Sequence, residues 1–266
     1  MSVGCNRNCF GSRGFTLFEV VLSLLVVVAM VISAKKFINL ATENTKSLEE
    51  TRTIDRELGL LIASIKADLE TIVLMDDGHP IFEICKENHE NGFRIFFFTT
   101  NYDRNITAAV KYDVTEGEFG KIVITRTALG ANETLVLQNA LGPRSSFEEA
   151  FDRIDSKQKH THKYKITLSD FRIRVAVKTY GGNIVITYPN AKALYAGGIL
   201  LCERGNQKST YSGNLLFFDV TARALTKSDF SRFNAMGARG VEFARDFMFS
   251  RARKSFARIV PISESL

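Results

Sequence analysis

Arg13-Gly14-Phe15-Thr16-Leu17-Phe18-Glu19 leads without a break into Val20-Val21-Leu22-Ser23-Leu24-Leu25-Val26-Val27-Val28-Ala29-Met30-Val31-Ile32. A short basic leader stops at Gly14, an aromatic residue follows, and one carboxylate, Glu19, stands at the head of a run that meets no further charge until Lys35. From Phe15 to Ala34 the run has about the ~20 residues that a bilayer-spanning helix requires. A carboxylate in hydrocarbon is costly unless it has a partner, so Glu19 is a functional candidate by position alone. Residues 1–14 carry Arg7 and Arg13 and no acidic residue. The leader is therefore expected to stay cytoplasmic, with everything behind the apolar run crossing the membrane.

A secretory signal peptide is cut behind its hydrophobic region, at small residues. Here the small residue precedes that region, so cleavage would leave the apolar helix in the product. Cys5 and Cys9 lie in front of the apolar core, on the wrong side for a lipoprotein, and a metal bound by them would leave with the leader. The order of cleavage residue, aromatic, carboxylate and apolar run resembles the type IV prepilin family, which includes the pseudopilins of type II secretion. The residues that carry the resemblance are Gly14, Phe15, Thr16, Leu17 and Glu19. It implies cutting behind Gly14 by a membrane prepilin peptidase, methylation of the new amino terminus at Phe15, and neutralisation of a neighbouring subunit's Phe15 amine by Glu19 during filament assembly. The chemistry suits the place, because an amine and a carboxylate that are each expensive alone become tolerable as a pair. The plainer alternative is a signal anchor with an incidental glutamate.

The fold expected is α+β: a long N-terminal hydrophobic helix followed by a β-rich head with antiparallel sheets. The expected divisions are a leader (1–14), a membrane and assembly helix (15–36), a continuation of that helix (37–78) and a periplasmic head with a basic helical tail (79–266). Proline is absent between Phe15 and His79, and Ile54, Leu58, Leu61, Ile65, Leu69 and Ile72 recur at three- and four-residue steps, the apolar stripe of a helix. Asp55, Arg56, Lys66 and Asp68 fall mostly off the stripe, and Asp76-Asp77-Gly78-His79-Pro80 reads as the stop. The pattern allows a weak joint near Thr42-Glu43-Asn44-Thr45.

In the head, strands are expected at 92–99, 108–112 and 121–126, with a weaker one at 134–138. Ser146-Phe147-Glu148-Glu149 reads as a capping box opening a short helix to Ile154. Residues 156–163 read as a polar, basic loop. The alternating run 171–178, the turn Gly181-Gly182-Asn183 and the strand 184–188 form the clearest hairpin. A further pair is expected at 199–202 and 215–220, and the tail 226–257 is expected to be helical and interrupted. The stretch from about 50 to 130 is similar to the J-type minor pseudopilins and the related W-type minor pilins, through the Leu-rich run 56–69, Phe96-Phe97-Phe98-Thr99, Val110-Lys111-Tyr112-Asp113-Val114 and Ile122-Val123-Ile124-Thr125-Arg126. That likeness implies other pilin-like subunits and an inner-membrane assembly platform as partners. Glu19 argues against the K-type pseudopilin of the filament tip, which characteristically lacks the carboxylate.

Cys85 and Cys202, the only cysteines behind the anchor, would meet an oxidising periplasm, and a disulfide between them competes evenly with two buried thiols. His160 and His162 lack further ligands nearby and read as part of a solvated loop, and Asp76, Asp77 and His79 read as a helix-terminating turn rather than a metal site. Among 266 residues with 35 Lys and Arg against 29 Asp and Glu, the excess of positive charge is too modest to imply nucleic acid. From Thr221 to Arg258, however, Lys and Arg outnumber acids and phenylalanines interleave (Phe230, Phe233, Phe243, Phe247, Phe249, Phe256). An amphipathic helix with a solvated basic face explains this most simply. Binding of single-stranded DNA by stacking and phosphate contact, as in a DNA-uptake pseudopilus, is the alternative, and a tethered periplasmic domain that never assembles is a third. Gly181-Gly182 and Gly197-Gly198 read as turns, and nothing in the sequence argues for an enzyme or calls for a cofactor.

Overall fold

Leu17–Glu70 is one helix, α1, of 54 residues. The structure is a computed structural model that describes residues 16–74, 80–86, 92–101, 106–117, 121–142, 145–155, 159–164, 166–189, 191–204, 207–237 and 250–262. The chain divides into two units, Met1–Glu49 and Glu50–Leu266. In the first, every described residue from Thr16 to Glu49 is exposed.

The second unit begins with the rest of α1 and continues as strands and short helices. In chain order these are β1 (Pro80–Lys86), β2 (Phe93–Asn101), β3 (Ile106–Glu116), β4 (Ile122–Leu129), α2 (Ala131–Ala140), α3 (Phe147–Asp152), β5 (Lys159–Lys163), β6 (Leu168–Thr179), β7 (Ile184–Ile186), β8 (Lys192–Ala196), β9 (Ile199–Arg204), β10 (Gln207–Ala224), α4 (Lys227–Gly237) and β11 (Arg253–Ile259). The architecture is α+β, a long apolar helix followed by an antiparallel sheet. The strands run β11-β10-β9-β8-β1-β2-β3-β4-β6-β7, with β5 beside β4. The second half of β10 also pairs with β6, from Gly213↔Thr179 to Ala224↔Leu168, and β6 meets β4 at Ile122↔Leu168. Eight strands therefore form a closed circuit of pairing, which protects edges that would otherwise recruit other chains.

Strand alternation and the helical stripe supply one core. Leu58, Leu61, Ile62, Ile65 and Leu69 of α1 pack with Phe82 and Ile84, with Phe93, Ile95 and Phe97, and with residues from every other strand of the circuit. β2 is buried on both faces. Its odd-numbered residues join α1, while Phe96 and Phe98 join Leu137, Leu141, Phe147 and Phe151 in a second cluster with α2 and α3.

Several elements depart from the sequence expectations. The helix stops at Glu70, not at 78, because the chain beyond it is captured by β2: Thr100 N donates to Thr71 O (2.9 Å), Val73 N donates to Phe98 O (2.9 Å), and Ile72 bridges Thr99. Residues 75–79, the anticipated stop, lie outside the described residues. The weaker strand at 134–138 is helix α2, where the four-residue step Leu137 to Leu141 buries one side and Thr134 Oγ1 accepts the Ala109 amide at 3.0 Å. Lys159–Lys163, expected as loop, is strand β5 on β4. Strand β9 pairs with residues 207–212 of β10, while residues 215–220 pair with β6 across a bulge. Among the described residues of the tail, Lys227–Gly237 is a short helix, α4, while 253–257, expected as helix, belongs to strand β11, which adds to the edge of β10. Strands β1 and β8 are additions to the expected set.

The hairpin at 171–188 forms where expected, and Gly182 has φ of +85°, a backbone region that favours glycine. Cys85 and Cys202 are free thiols. Strand β8 runs between theirs, with Ala193 opposite both Ile84 and Cys202. Two strand spacings, roughly 10 Å, thus part the backbones, beyond the span of a disulfide. Cys85 also belongs to the α2–α3 cluster, while Ile84 faces α1. The bridge between them is not formed.

Candidate functional site: the head of the apolar helix

Gly14 and Phe15, the expected cleavage and methylation residues, lie outside the described residues. The first described residue, Thr16, caps α1. Its Oγ1 accepts the Glu19 amide at 3.3 Å, while the Glu19 carboxylate accepts the Thr16 amide at 2.9 Å and the Thr16 hydroxyl at 3.1 Å. This is a reciprocal capping box, which satisfies two of the backbone donors that every helix leaves open at its start. The sequence reading assigned Glu19 to a partner's amine and missed its local duty. The signal was present, since Thr16-Leu17-Phe18-Glu19 is the Thr-x-x-Glu pattern directly before an apolar run. The carboxylate is thereby fixed beside the first turn, where the helix dipole favours negative charge.

Beyond Glu19, hydroxyls of the exposed stretch bond to the helix's own backbone. Ser23 Oγ donates to Val20 O at 2.8 Å, Ser33 Oγ to Ala29 O at 2.8 Å, Thr42 Oγ1 to Ile38 O at 2.8 Å and Thr45 Oγ1 to Ala41 O at 2.9 Å. Hydroxyls tied to their own backbone present no unsatisfied donor to hydrocarbon. The apolar side chains of this stretch are exposed, with Leu17 83% and Phe18 74%. Among the described residues, α1 holds the one stretch long and apolar enough to cross a membrane. This is compatible with a single-pass anchor near the N-terminus.

The other sequence candidates scatter. His160 and His162 lie on β5, where the His162 ring meets Tyr164 edge-on at 4.8 Å. Among the described residues no group of three or more His, Cys, Asp or Glu is placed to hold a metal ion. Asp76, Asp77, His79, Phe243, Phe247 and Phe249 lie outside the described residues. Three basic residues of the tail are engaged in ion pairs: Arg223 with Asp170 at 3.7 Å, Arg253 with Asp55 at 3.9 Å and Arg258 with Asp219 at 2.9 Å.

One cluster escaped the sequence reading. Asp68, expected on the solvent side of the stripe, is buried. It accepts from Arg126 Nε at 2.7 Å and Nη2 at 2.9 Å, and from the Tyr112 hydroxyl. Ser64 Oγ lies 3.3 Å from that hydroxyl and accepts from Tyr164 at 2.7 Å. The hydrogen bonds to Asp68 hold the Arg126 guanidinium above its ordinary pKa. Burial first, and the Asp68 charge second, push the Tyr112 hydroxyl well above its own. The network joins the second half of α1 to β3 and β4, and the separation of 58 positions from Asp68 to Arg126 leaves no local trace of it in the sequence.

No family model matches the chain, and no curated protein or solved structure matches it.

Proposed function

We propose that this chain is a minor pseudopilin-like subunit, cut behind Gly14, methylated on Phe15 and assembled with other pilin-like subunits through the first half of α1. The observation that carries the reading is an exposed apolar helical run, headed by one carboxylate that a capping box fixes at its first turn, directly behind the Gly14-Phe15 junction. A helix of this kind is complete only among other helices or lipid. In lipid the hydrophobic drive between helices is absent, so side-chain packing and polar pairing must hold subunits together. Processing would create a new amine at Phe15, the residue before the cap Thr16, close to a carboxylate already aimed at the start of the helix. A neighbour's amine then competes for Glu19 with the Thr16 amide and hydroxyl. Before cleavage the leader stays cytoplasmic and the head lies across the inner membrane. The role is structural rather than enzymatic.

The test is N-terminal analysis of the mature protein from its native host, combined with crosslinking to co-expressed pilin-like subunits. The expected product begins at methylated Phe15. Glu19→Val is expected to be processed but to lose incorporation into filaments. A native product that retains residues 1–14, or normal incorporation of Glu19→Val, overturns the reading.

A further inference from the structure

Strands β7, β6, β10 and β11 share an outward face whose rows can be followed by register. Ile186 lies opposite Ala176, which lies opposite Phe217. The next row towards the other end is Arg174, Asp219 and Arg258. After it come Arg172, Thr221 and Phe256, and then Asp170, Arg223 and Lys254. Consecutive rows are two residues apart along a strand, about 7 Å. On the other side of the Ile186 row, Ile184 lies opposite Lys178, and Tyr180 follows at the hairpin.

Two features set this face apart from an ordinary solvated sheet. The first is that its guanidiniums are held. Asp219, whose side chain is only 2% exposed, binds Arg258 through both oxygens at 2.9 and 3.1 Å and has Arg174 at 3.6 Å. Asp170 holds Arg172 at 2.9 Å and Arg223 at 3.7 Å. Two covered carboxylates thus anchor four arginines, and Lys178 and Lys254 add to the surplus of positive charge. Arg258 also stacks on Phe217, 4.1 Å from the ring centre. The second feature is that the apolar residues of the same face are open, with Ile184 59%, Ile186 46% and Phe256 50% exposed.

We propose that this face docks on an anionic phospholipid surface. Fixed guanidiniums meet headgroup phosphates by charge-assisted hydrogen bonds, and the isoleucines and aromatic rings enter the boundary of headgroup and acyl chain, where apolar faces bury to a depth of ~5–10 Å. Ile186 lies one row from Arg174 and Ile184 two, so cations and apolar side chains share one face within a few strand spacings. Two observations choose lipid over nucleic acid. Ile184 and Ile186 offer no π-face for a base to stack on. The chain also carries an apolar helix compatible with a membrane anchor, which would keep a bilayer within reach and raise its effective concentration. The proposal needs that anchor but not cleavage behind Gly14 or filament assembly.

The absence of tryptophan from the chain makes a clean test. Full-length Ile186→Trp is reconstituted in vesicles of phosphatidylcholine alone or of phosphatidylcholine mixed with phosphatidylglycerol, each with and without brominated acyl chains. A blue-shifted emission quenched by bromine is expected in the anionic vesicles alone, and reversal by salt. Phe256→Trp is expected to respond in the same way, while Leu135→Trp, on α2 and away from this face, stays unchanged. Arg172→Gln, Lys178→Gln and Lys254→Gln in the reporter chain should weaken docking roughly fivefold for each cation removed. Arg223 remains on Asp170 in the first of these. Equal emission of the reporters in the two lipid mixtures overturns the proposal, as does an equal response from Leu135→Trp. A shift produced by oligothymidylate in phosphatidylcholine vesicles overturns it too, by giving the face to nucleic acid.

Discussion

Leu24 and Leu61 are leucines of the same helix, yet Leu24 is 61% exposed and Leu61 is fully buried. The first half of α1 opens on an apolar run from Val20 to Ala34 broken only by Ser23 and Ser33, and every described residue from Thr16 to Glu49 is exposed. The second half is amphipathic and completes the core of a closed sheet. The contrast separates two uses of one element. Where a helix serves its own fold, its apolar residues narrow to a stripe and its charges find protein partners, as Asp68 does. Where it is exposed, the apolar residues run all round and the serines bond back to the backbone.

The largest effect should come from removing the charge that ties the second half to the sheet. Asp68→Ala leaves Arg126 partly buried without its carboxylate and Tyr112 without its acceptor. Breaking a buried pair from one side costs about 3–5 kcal/mol. The head of the full-length protein in detergent should show that loss in denaturant unfolding, while membrane insertion stays as in the parent. An unchanged unfolding midpoint would mean that the network contributes nothing to holding helix and sheet together.

The leucines themselves offer the sharper comparison. Leu61→Ala is expected to cost about 2–5 kcal/mol of head stability through lost burial and the cavity left behind. Leu24→Ala should leave the same unfolding curve within about 0.5 kcal/mol and instead reduce crosslinking to the partner subunits proposed above. If Leu24→Ala destabilised the head as strongly as Leu61→Ala, the division of α1 into two uses would be wrong.

What the sequence made legible follows the same line. The apolar helix and its stripe were readable because their periodicity is local, and the hairpin at 171–188 because alternation flanks a Gly-Gly-Asn turn. Strand β1 was not, because Pro80-Ile81-Phe82-Glu83-Ile84-Cys85 is buried at every position and so shows no alternation. Its buried Glu83 accepts the Phe147 and Glu148 amides at the start of α3, a duty visible only once the fold is known. Residues 134–138 have the composition of a strand, and packing of Leu137 and Leu141 decided otherwise. At the helix head the Thr16–Glu19 box was written in the sequence, whereas the Asp68–Arg126 pair depends on strand register that no local pattern encodes.

The smallest effect tests the tyrosines of the network by pH. Burial raises the hydroxyls of Tyr112 and Tyr164 above their ordinary pKa, and burial does the same to the Cys85 thiol. A group whose folded pKa is raised contributes stability that is complete below its unfolded pKa and is lost as pH climbs towards the folded value. For the tyrosines that window opens near about pH 10, and for the thiol near about 8.5. Stability of the head should therefore fall in alkali, first as the thiol's contribution declines and then more steeply above about pH 10. Tyr164→Phe removes one raised hydroxyl while leaving the Asp68–Arg126 pair intact, so it should flatten only the steeper limb. Cys85→Ala should flatten only the earlier one. Identical alkaline profiles for Tyr164→Phe and the parent would show that the hydroxyl reaches water as freely in the folded head as in the unfolded chain, and the second half of α1 would then be less enclosed than its leucines indicate.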